Sequence, residues 1–363
     1  MDLTPALDRG VGFLLSAESA PGWWRDFDTL AGPSDEWVSA YVALVLASAP
    51  DPRARPRAWC TWRRLRRRRW WSGGWGYNGR VPADADSTTW GLRLAQALGA
   101  GTSLRARRGY RFLARHLRAD GGIVTYSEDG PIRHFTRVHS RFSFRGWCGT
   151  HACVTAAAAA LPELGADARV RAYLRRAQSD DGGWTAYWWC DREVATGLAA
   201  EALAESPAAE ALAESSAAVA LAESSAAEDA DARRRAVDWA AGRVREDGSV
   251  GSVTHAAGSA FAAAWCLRLL LLGDDGHDDG RMEGAASAAA WLLRSQRADG
   301  AWPASAALRI PPPDVEDPER YDRWALHGRG GGSILLDGRS IFTTATVVAA
   351  LGRMADVLHG RRC

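Results

Sequence analysis

The chain has 363 residues, 47% of them hydrophobic and 24% charged, with a formal net charge of +2. That balance supplies ample material for a buried core and no bulk field that would draw a polyanion, so nucleic acid is not an expected partner. All 45 basic residues are arginine, a compositional bias against which every Arg-rich patch has to be discounted.

The start, Met1-Asp2-Leu3-Thr4-Pro5, has neither the basic nor the apolar region of a secretory leader. The six cysteines, Cys60, Cys148, Cys153, Cys190, Cys266 and Cys363, follow no disulfide-type spacing, so a reduced, cytoplasmic protein is expected.

Six times along the chain a helical stretch runs into a tight Gly-bearing turn and then into a more apolar helical stretch. The turns are Pro21-Gly22-Trp23, Gly73-Gly74-Trp75, Gly121-Gly122-Ile123, Gly182-Gly183-Trp184, Gly248-Ser249-Val250 and Gly300-Ala301-Trp302, spaced 52, 48, 61, 66 and 52 residues apart. A repeat of that size cannot cover its own apolar face and must stack on its neighbours. Six helical hairpins close a double ring. In chain order the inner helices are expected over 38–47, 89–98, 152–161, 194–203, 256–272 and 344–351, each nearly free of polar residues after its first turn and so buried on all sides. The outer helices are amphipathic and Arg-rich, as in 170–177. The expectation is an all-α (α/α)6 barrel forming one domain over 1–363.

Three segments break the period. Residues 201–227 carry three copies of a nine-residue unit, a low-complexity insert expected to be exposed and dispensable. Residues 124–147 and 303–340 are long, irregular and rich in Gly, Pro and Arg. Each precedes an inner helix, which places both as loops over one mouth of the barrel. The apolar run 260–272 is short and interrupted by Arg268, so a buried helix is expected rather than a membrane span. The arginine cluster 63–69, beside Trp70 and Trp71, is a candidate for peripheral membrane contact, with a solvated face as the simpler reading.

The same topology gathers all six inner-helix starts around that mouth: Asp35-Glu36-Trp37, Asp84-Ala85-Asp86-Ser87, Cys148-Gly149-Thr150-His151, Asp191-Arg192-Glu193, Thr254-His255 and Phe342-Thr343-Thr344. A polar rim on an apolar cavity suits a hydrophobic small molecule with one polar task. Within it, Asp84-x-Asp86 brings two carboxylates together in low dielectric, where one should hold a proton and act as a general acid. The competing reading is that aspartates at a helix start cap free N–H groups, which lowers their pKa and opposes an acid role. A protonated acid facing a dry, aromatic cavity is what initiating a carbocation from an alkene or epoxide requires. The chain has 18 tryptophans, and Trp37, Trp90, Trp147, Trp188 and Trp189 flank the mouth. Trp37, Trp90, Trp147, Trp188, His255 and Phe342 are the candidate substrate-binding residues.

The turns Gln178-Ser179-Asp180-Asp181-Gly182-Gly183-Trp184 and Gln296-Arg297-Ala298-Asp299-Gly300-Ala301-Trp302 resemble the QW repeats of squalene–hopene and oxidosqualene cyclases. That resemblance covers essentially the whole chain and implies the α/α toroid of this superfamily. Its class II cyclases carry an Asp-x-Asp-Asp acid motif at an inner-helix start. By resemblance Asp86 would be the proton donor and Asp84 its modulator, with Ser87 standing in place of the motif's last Asp. A single barrel is similar to class II cyclases that fold prenylated aromatic acids or shorter prenyl chains, with no cofactor. His151 is a candidate hydrogen-bond partner for Asp86. Zinc-dependent protein prenyltransferases and lanthionine cyclases resemble the same barrel, and Cys148-x-x-His151 has metal-ligand residue types at workable spacing. A non-catalytic barrel that binds a lipid or a protein is a further alternative. Asp274-Asp275-Gly276-His277-Asp278 spells a class I diphosphate motif but is expected at the opposite end as a solvated turn, and Asp180-Asp181 belongs to a repeat turn.

Overall fold

The computed structural model describes residues 1–68, 72–204, 216–273 and 279–360. In chain order its helices are α1 (Thr4–Ser16), α2 (Glu36–Ser48), α3 (Ala54–Leu65), α4 (Ala85–Ala97), α5 (Leu104–Ala114), α6 (Gly130–Thr136), α7 (Ala152–Ala159), α8 (Pro162–Gly165), α9 (Ala168–Arg176), α10 (Arg192–Ala204), α11 (Ser216–Ala241), α12 (Ala260–Leu270), α13 (Asp279–Ser295) and α14 (Ile341–Leu358). The inner ring runs α2, α4, α7, α10, α12, α14, and α14 packs on α2 to close it. Outside, α3, α5, α9, α11 and α13 each pack on the inner helix that precedes them, and α1 packs on α14. The (α/α)6 barrel expected from the repeat is the fold.

The repeat turns explain the closure. The first glycine of every turn has φ between 66° and 93°, the left-handed region where a Cβ is strained. A Cβ on Gly121 would also lie 2.0 Å from the Arg169 carbonyl oxygen, and one on Gly300 2.4 Å from that of Arg9. Each turn therefore abuts the backbone of the next outer helix, the last on the first. Four buried tryptophans, Trp24, Trp75, Trp184 and Trp302, donate their indole N–H to the carbonyl of the leucine ten residues earlier, at 2.6–2.8 Å. Trp24, not Trp23, is the repeat tryptophan of the first turn; Trp23 lies under Arg64 and Arg68. The glutamines staple neighbouring hairpins: Gln178 Nε2 donates to Gly182 O and Ala232 O, Gln296 Nε2 to Gly300 O and Ala6 O.

The period-breaking segments depart from expectation. Residues 303–340 are not irregular throughout: β3 (Ala307–Ile310) pairs antiparallel with β5 (Ser333–Leu336), which pairs parallel with β4 (Ala325–Leu326). A short hairpin of β1 (Asp26–Thr29) and β2 (Gly32–Ser34) lies before α2, and 124–147 contains α6. The front of the 201–227 range is not exposed. Glu201–Ala204 end α10, and Glu201 is buried between Arg268 (two contacts of 2.8 Å) and Arg353 (3.0 Å), because the last turn of an inner helix still faces the barrel axis. Residues from 216 onward belong to α11, and 205–215 lie outside the described residues, as do 274–278 and Trp70 and Trp71. The apolar run expected to be buried is α12, whose residues are nearly all buried. One described helix, α14, is long and apolar enough to cross a membrane, but 61% of it is buried in the barrel.

Candidate active site

An aromatic layer plugs the barrel axis. Phe342 stacks on Tyr41 at 4.1 Å and packs against Trp37 at 5.0 Å and Trp189 at 5.3 Å, while Tyr41 meets Trp90 edge-on at 4.9 Å. Between this layer and the loops lies a chamber of about 480 Å³ lined by Trp37, Tyr77, Val81, Asp84, Asp86, Ser87, Thr125, Tyr126, Trp147 and Trp188, with Ile132, Phe135, Leu308 and Ile310 from the two long segments. Leu30, Arg329, Gly330 and Gly331 line its outer end, and Leu30 is 80% exposed, which marks the mouth. The two loops are stitched over it: Trp147 Nε1 donates to Pro311 O (2.9 Å), Gly146 N to Pro313 O (2.9 Å), and Arg145 pairs with Glu316 (2.7 Å), while Tyr187 Oη, ahead of α10, donates to Val315 O (2.8 Å).

The two aspartates have different tasks. Asp84 is the N-cap of α4: Oδ1 accepts from Ser87 N at 2.7 Å and Oδ2 from Ser87 Oγ at 2.9 Å. Its carboxylate is thereby held as an acceptor. Asp86 sits two residues further on, within the first turn, enclosed by protein yet keeping some accessible surface, and that surface faces the chamber. Among the described residues its one donor is the Trp90 indole, 3.2 Å from Oδ1. Burial first, and the Asp84 charge second, push its pKa up to about 7, against the Trp90 hydrogen bond and the Arg93 charge. Burial outweighs these, so the protonated form of Asp86 is well populated near neutrality.

No protein-family model and no curated protein matches the chain. Solved structures do. A variant of the type II terpene cyclase MstE from Scytonema, in complex with geranylgeranyl dihydroxybenzoate (substrate), is 40% identical over 97% of both chains, with a TM-score of 0.87. A protein from Actinoplanes is 40% identical over 98% of this chain and 100% of its own, with a TM-score of 0.86. The chain belongs to the type II terpene cyclases. ent-Copalyl diphosphate synthase from Streptomyces platensis, 19% identical over 88% of this chain and 50% of its own at a TM-score of 0.54, shares the fold.

In this type II terpene cyclase the structure brings Asp84, Asp86, Trp37, Trp147 and Trp188 to one chamber. It does not bring the others. His151 does not reach Asp86: its Nε2 meets Gly146 O and its Nδ1 Thr125 Oγ1, both at 2.9 Å, and Tyr187 stacks on its ring at 3.8 Å. Burial pushes its pKa down to about 3, so it is a neutral strut that fixes Thr125, which in turn accepts from Trp188 Nε1 at 2.8 Å. With both ring nitrogens engaged, His151 does not form a zinc pair with Cys148, and among the described residues no three His, Cys, Asp or Glu side chains converge. His255 lies off the chamber, half-buried and bonded to Thr254. Trp90 and Phe342 belong to the plugging layer rather than the lining. Of the remaining rim acids, Glu36 accepts from Arg68 and Gly76 N, Glu193 pairs with Arg243 and Asp35 lies 3.8 Å from Arg25, while Asp191, pushed up to about 8 by burial and by the neighbouring Glu193, lies off the chamber; Asp181 braces its repeat turn through Gly183 N and Arg192.

The sequence reading missed Tyr77, Thr125, Tyr126 and Phe135. Tyr77 and Thr125 each follow a repeat turn by two residues, a position that points at the mouth in both hairpins. Phe135 comes from α6, for which no periodic signal existed.

Proposed function

We propose that this type II terpene cyclase acts on a prenylated aromatic acid of the geranylgeranyl dihydroxybenzoate kind, with Asp86 as the proton donor. The observation that carries the reading is a buried carboxyl group, pushed up to about 7 by desolvation, that opens on an indole-lined chamber. The substrate named for the Scytonema enzyme supports the class, and another variant of that enzyme was solved with merosterolic acid A (product). A chamber of about 480 Å³ lies within the range of roughly 300–1,000 Å³ of small-molecule sites.

In this arrangement the prenyl tail extends inward to Asp86, which gives its proton to the terminal double bond. The cation then migrates along the chain through successive ring closures, facing Trp37, Trp188, Tyr77 and Tyr126 in turn. The Asp84 charge, beside Ser87 that donates to it, favours the proton on Asp86 in the resting site, and Arg93 favours the carboxylate left after transfer. The dry walls keep water from quenching the cation. The aromatic acid stays at the mouth, where the Arg329 guanidinium, bonded to Asp28 at 2.9 Å, lies beside the opening. The proton gained at the terminal double bond is balanced by one lost to solvent from a carbon beside the last cation, so substrate and product have the same mass and the reaction is an isomerisation.

The test is Asp86→Asn with geranylgeranyl dihydroxybenzoate. Asn keeps the Trp90 acceptor and the shape, and turnover to a product of unchanged mass should fall by about 10³-fold, within the span of general-acid effects. Turnover within tenfold of the natural chain would remove Asp86 from the role.

A further inference from the structure

Trp90 entered as a cation-stabilising candidate, yet it is 6% exposed and turned under Asp86 rather than into the chamber. A carboxylic acid has two oxygens, and only a proton on the oxygen facing the substrate can be transferred. An indole N–H donates and never accepts. Bonded to Oδ1 at 3.2 Å, it makes Oδ1 the accepting oxygen of the neutral acid and sends the proton to Oδ2. Oδ2 accepts from no described side chain, and the accessible surface of Asp86 opens on the chamber.

The indole is itself fixed from behind. Tyr41 meets it edge-on at 4.9 Å and 80°, and Tyr41 Oη is tied to Thr346 Oγ1 at 2.8 Å. The Arg93 guanidinium lies 4.7 Å from the ring centroid, where a cation draws density from the indole and strengthens its N–H as a donor. Asp86, Trp90 and Arg93 succeed one another at i, i+4 and i+7 on α4, the spacing that stacks side chains on one helix face. The lower side of this ladder borders a second cavity of about 330 Å³ at the other end of the barrel, lined by Tyr41, Trp90, Arg93, Arg268 and Arg353.

We propose that Trp90 is a positioning residue for the acid: its N–H, aimed by Tyr41 and Arg93, directs the transferable proton to Oδ2 and holds that oxygen toward the substrate. The inference rests on Asp86 being the proton donor. The charged or titratable groups around Asp86 are Asp84 and Arg93 on its own helix and Cys153 on α7.

Trp90→Phe in the full chain tests it, because Phe keeps an aromatic ring beside Tyr41 and Arg93 and removes the donor together with part of the ring's volume. With geranylgeranyl dihydroxybenzoate, kcat should fall about tenfold with KM within about twofold. The hydrogen bond favours the ionised carboxylate, so its loss should also move the alkaline limb of the kcat profile to higher pH. Trp90→His, which retains a ring donor, should recover part of kcat. A packing role would lower kcat without moving the limb, and that result, like an unchanged kcat, overturns the proposal. Should Trp90→Phe not fold, the natural chain still decides: one indole ¹⁵N–H resonance should titrate with Asp86 and cease to do so in Asp86→Asn, and the absence of any such resonance overturns it. An active Asp86→Asn overturns the acid assignment itself, whereas an inactive Asp86→Asn beside an unaltered Trp90→Phe overturns only the role of Trp90.

Discussion

Holding an acid in readiness has a stability consequence that separates an acid from a helix cap. The pKa of Asp86 rises from 3.8 to about 7 in the folded chain, mainly through burial. Between those values the folded chain binds a proton that the unfolded chain has released, so stability falls as pH rises through that window. Asn carries no such proton and keeps the shape and the Trp90 contact. Asp86→Asn should therefore be more stable than the natural chain, by about 0.5 kcal/mol at pH 4 and by about 4 kcal/mol at pH 8, at roughly 1.4 kcal/mol for each unit between the two pKa values. Above pH 7 the gain levels off, because both states are then ionised. Urea denaturation of the two chains at a series of pH values measures it, and every titrating group that does not interact with position 86 cancels in the difference. A cap gives the opposite slope, since a carboxylate that accepts backbone N–H groups has a lowered pKa and its replacement costs stability at high pH. A difference that is flat with pH, or that favours the natural chain at pH 8, would refute the argument.

Two further outcomes follow from contacts on either side of the plugging layer. Ser87→Ala removes the hydroxyl that donates to Asp84 Oδ2 at 2.9 Å while leaving the backbone N–H at 2.7 Å; kcat should fall several-fold, stability should drop by about 1 kcal/mol, and Ser87→Thr should restore both in steady-state and melting measurements. Glu201→Ala leaves Arg268 and Arg353 without their shared buried partner and should cost about 3–5 kcal/mol in chemical denaturation, a loss that an exposed, dispensable insert would not produce.

The barrel was legible because its signal is written six times. Each turn needs a left-handed glycine against a neighbouring backbone, and four turns need an indole that reaches back ten residues, so the requirement appears in the chain as Gly and Trp at a regular spacing. The loops carry no such repetition. The sheet of β3, β4 and β5 and the short helix α6 are built from contacts distant in sequence, such as Ala307 with Leu336, and local pattern does not record those. Trp23 and Trp24 show how easily the register slips even inside the repeat: taken as Pro21-Gly22-Trp23 the turn closes on Trp23, whereas the Gly-x-Trp spacing of the other turns, counted from Gly22, falls on Trp24, whose indole bonds the carbonyl of Leu14. His151 shows it in the site, since a histidine at an inner-helix start was equally placed to meet Asp86 or the loop, and the carbonyl of Gly146 took it.

The aspartate pair was legible as a place but not as a division of labour, and the two readings of it turn out to need each other. The backbone N–H of Ser87 can be accepted once at close range, and Asp84, standing outside the first turn, takes it. With that donor spent, Asp86 inside the helix is left with a single indole N–H against the full cost of desolvating a charge. A carboxyl so poorly supplied keeps its proton, while its neighbour, supplied twice by Ser87, stays an acceptor and adds a negative charge that raises the proton affinity further. Ser87 therefore compensates for the carboxylate missing at its position by securing the charge of Asp84. Capping at one position is what makes an acid at the other.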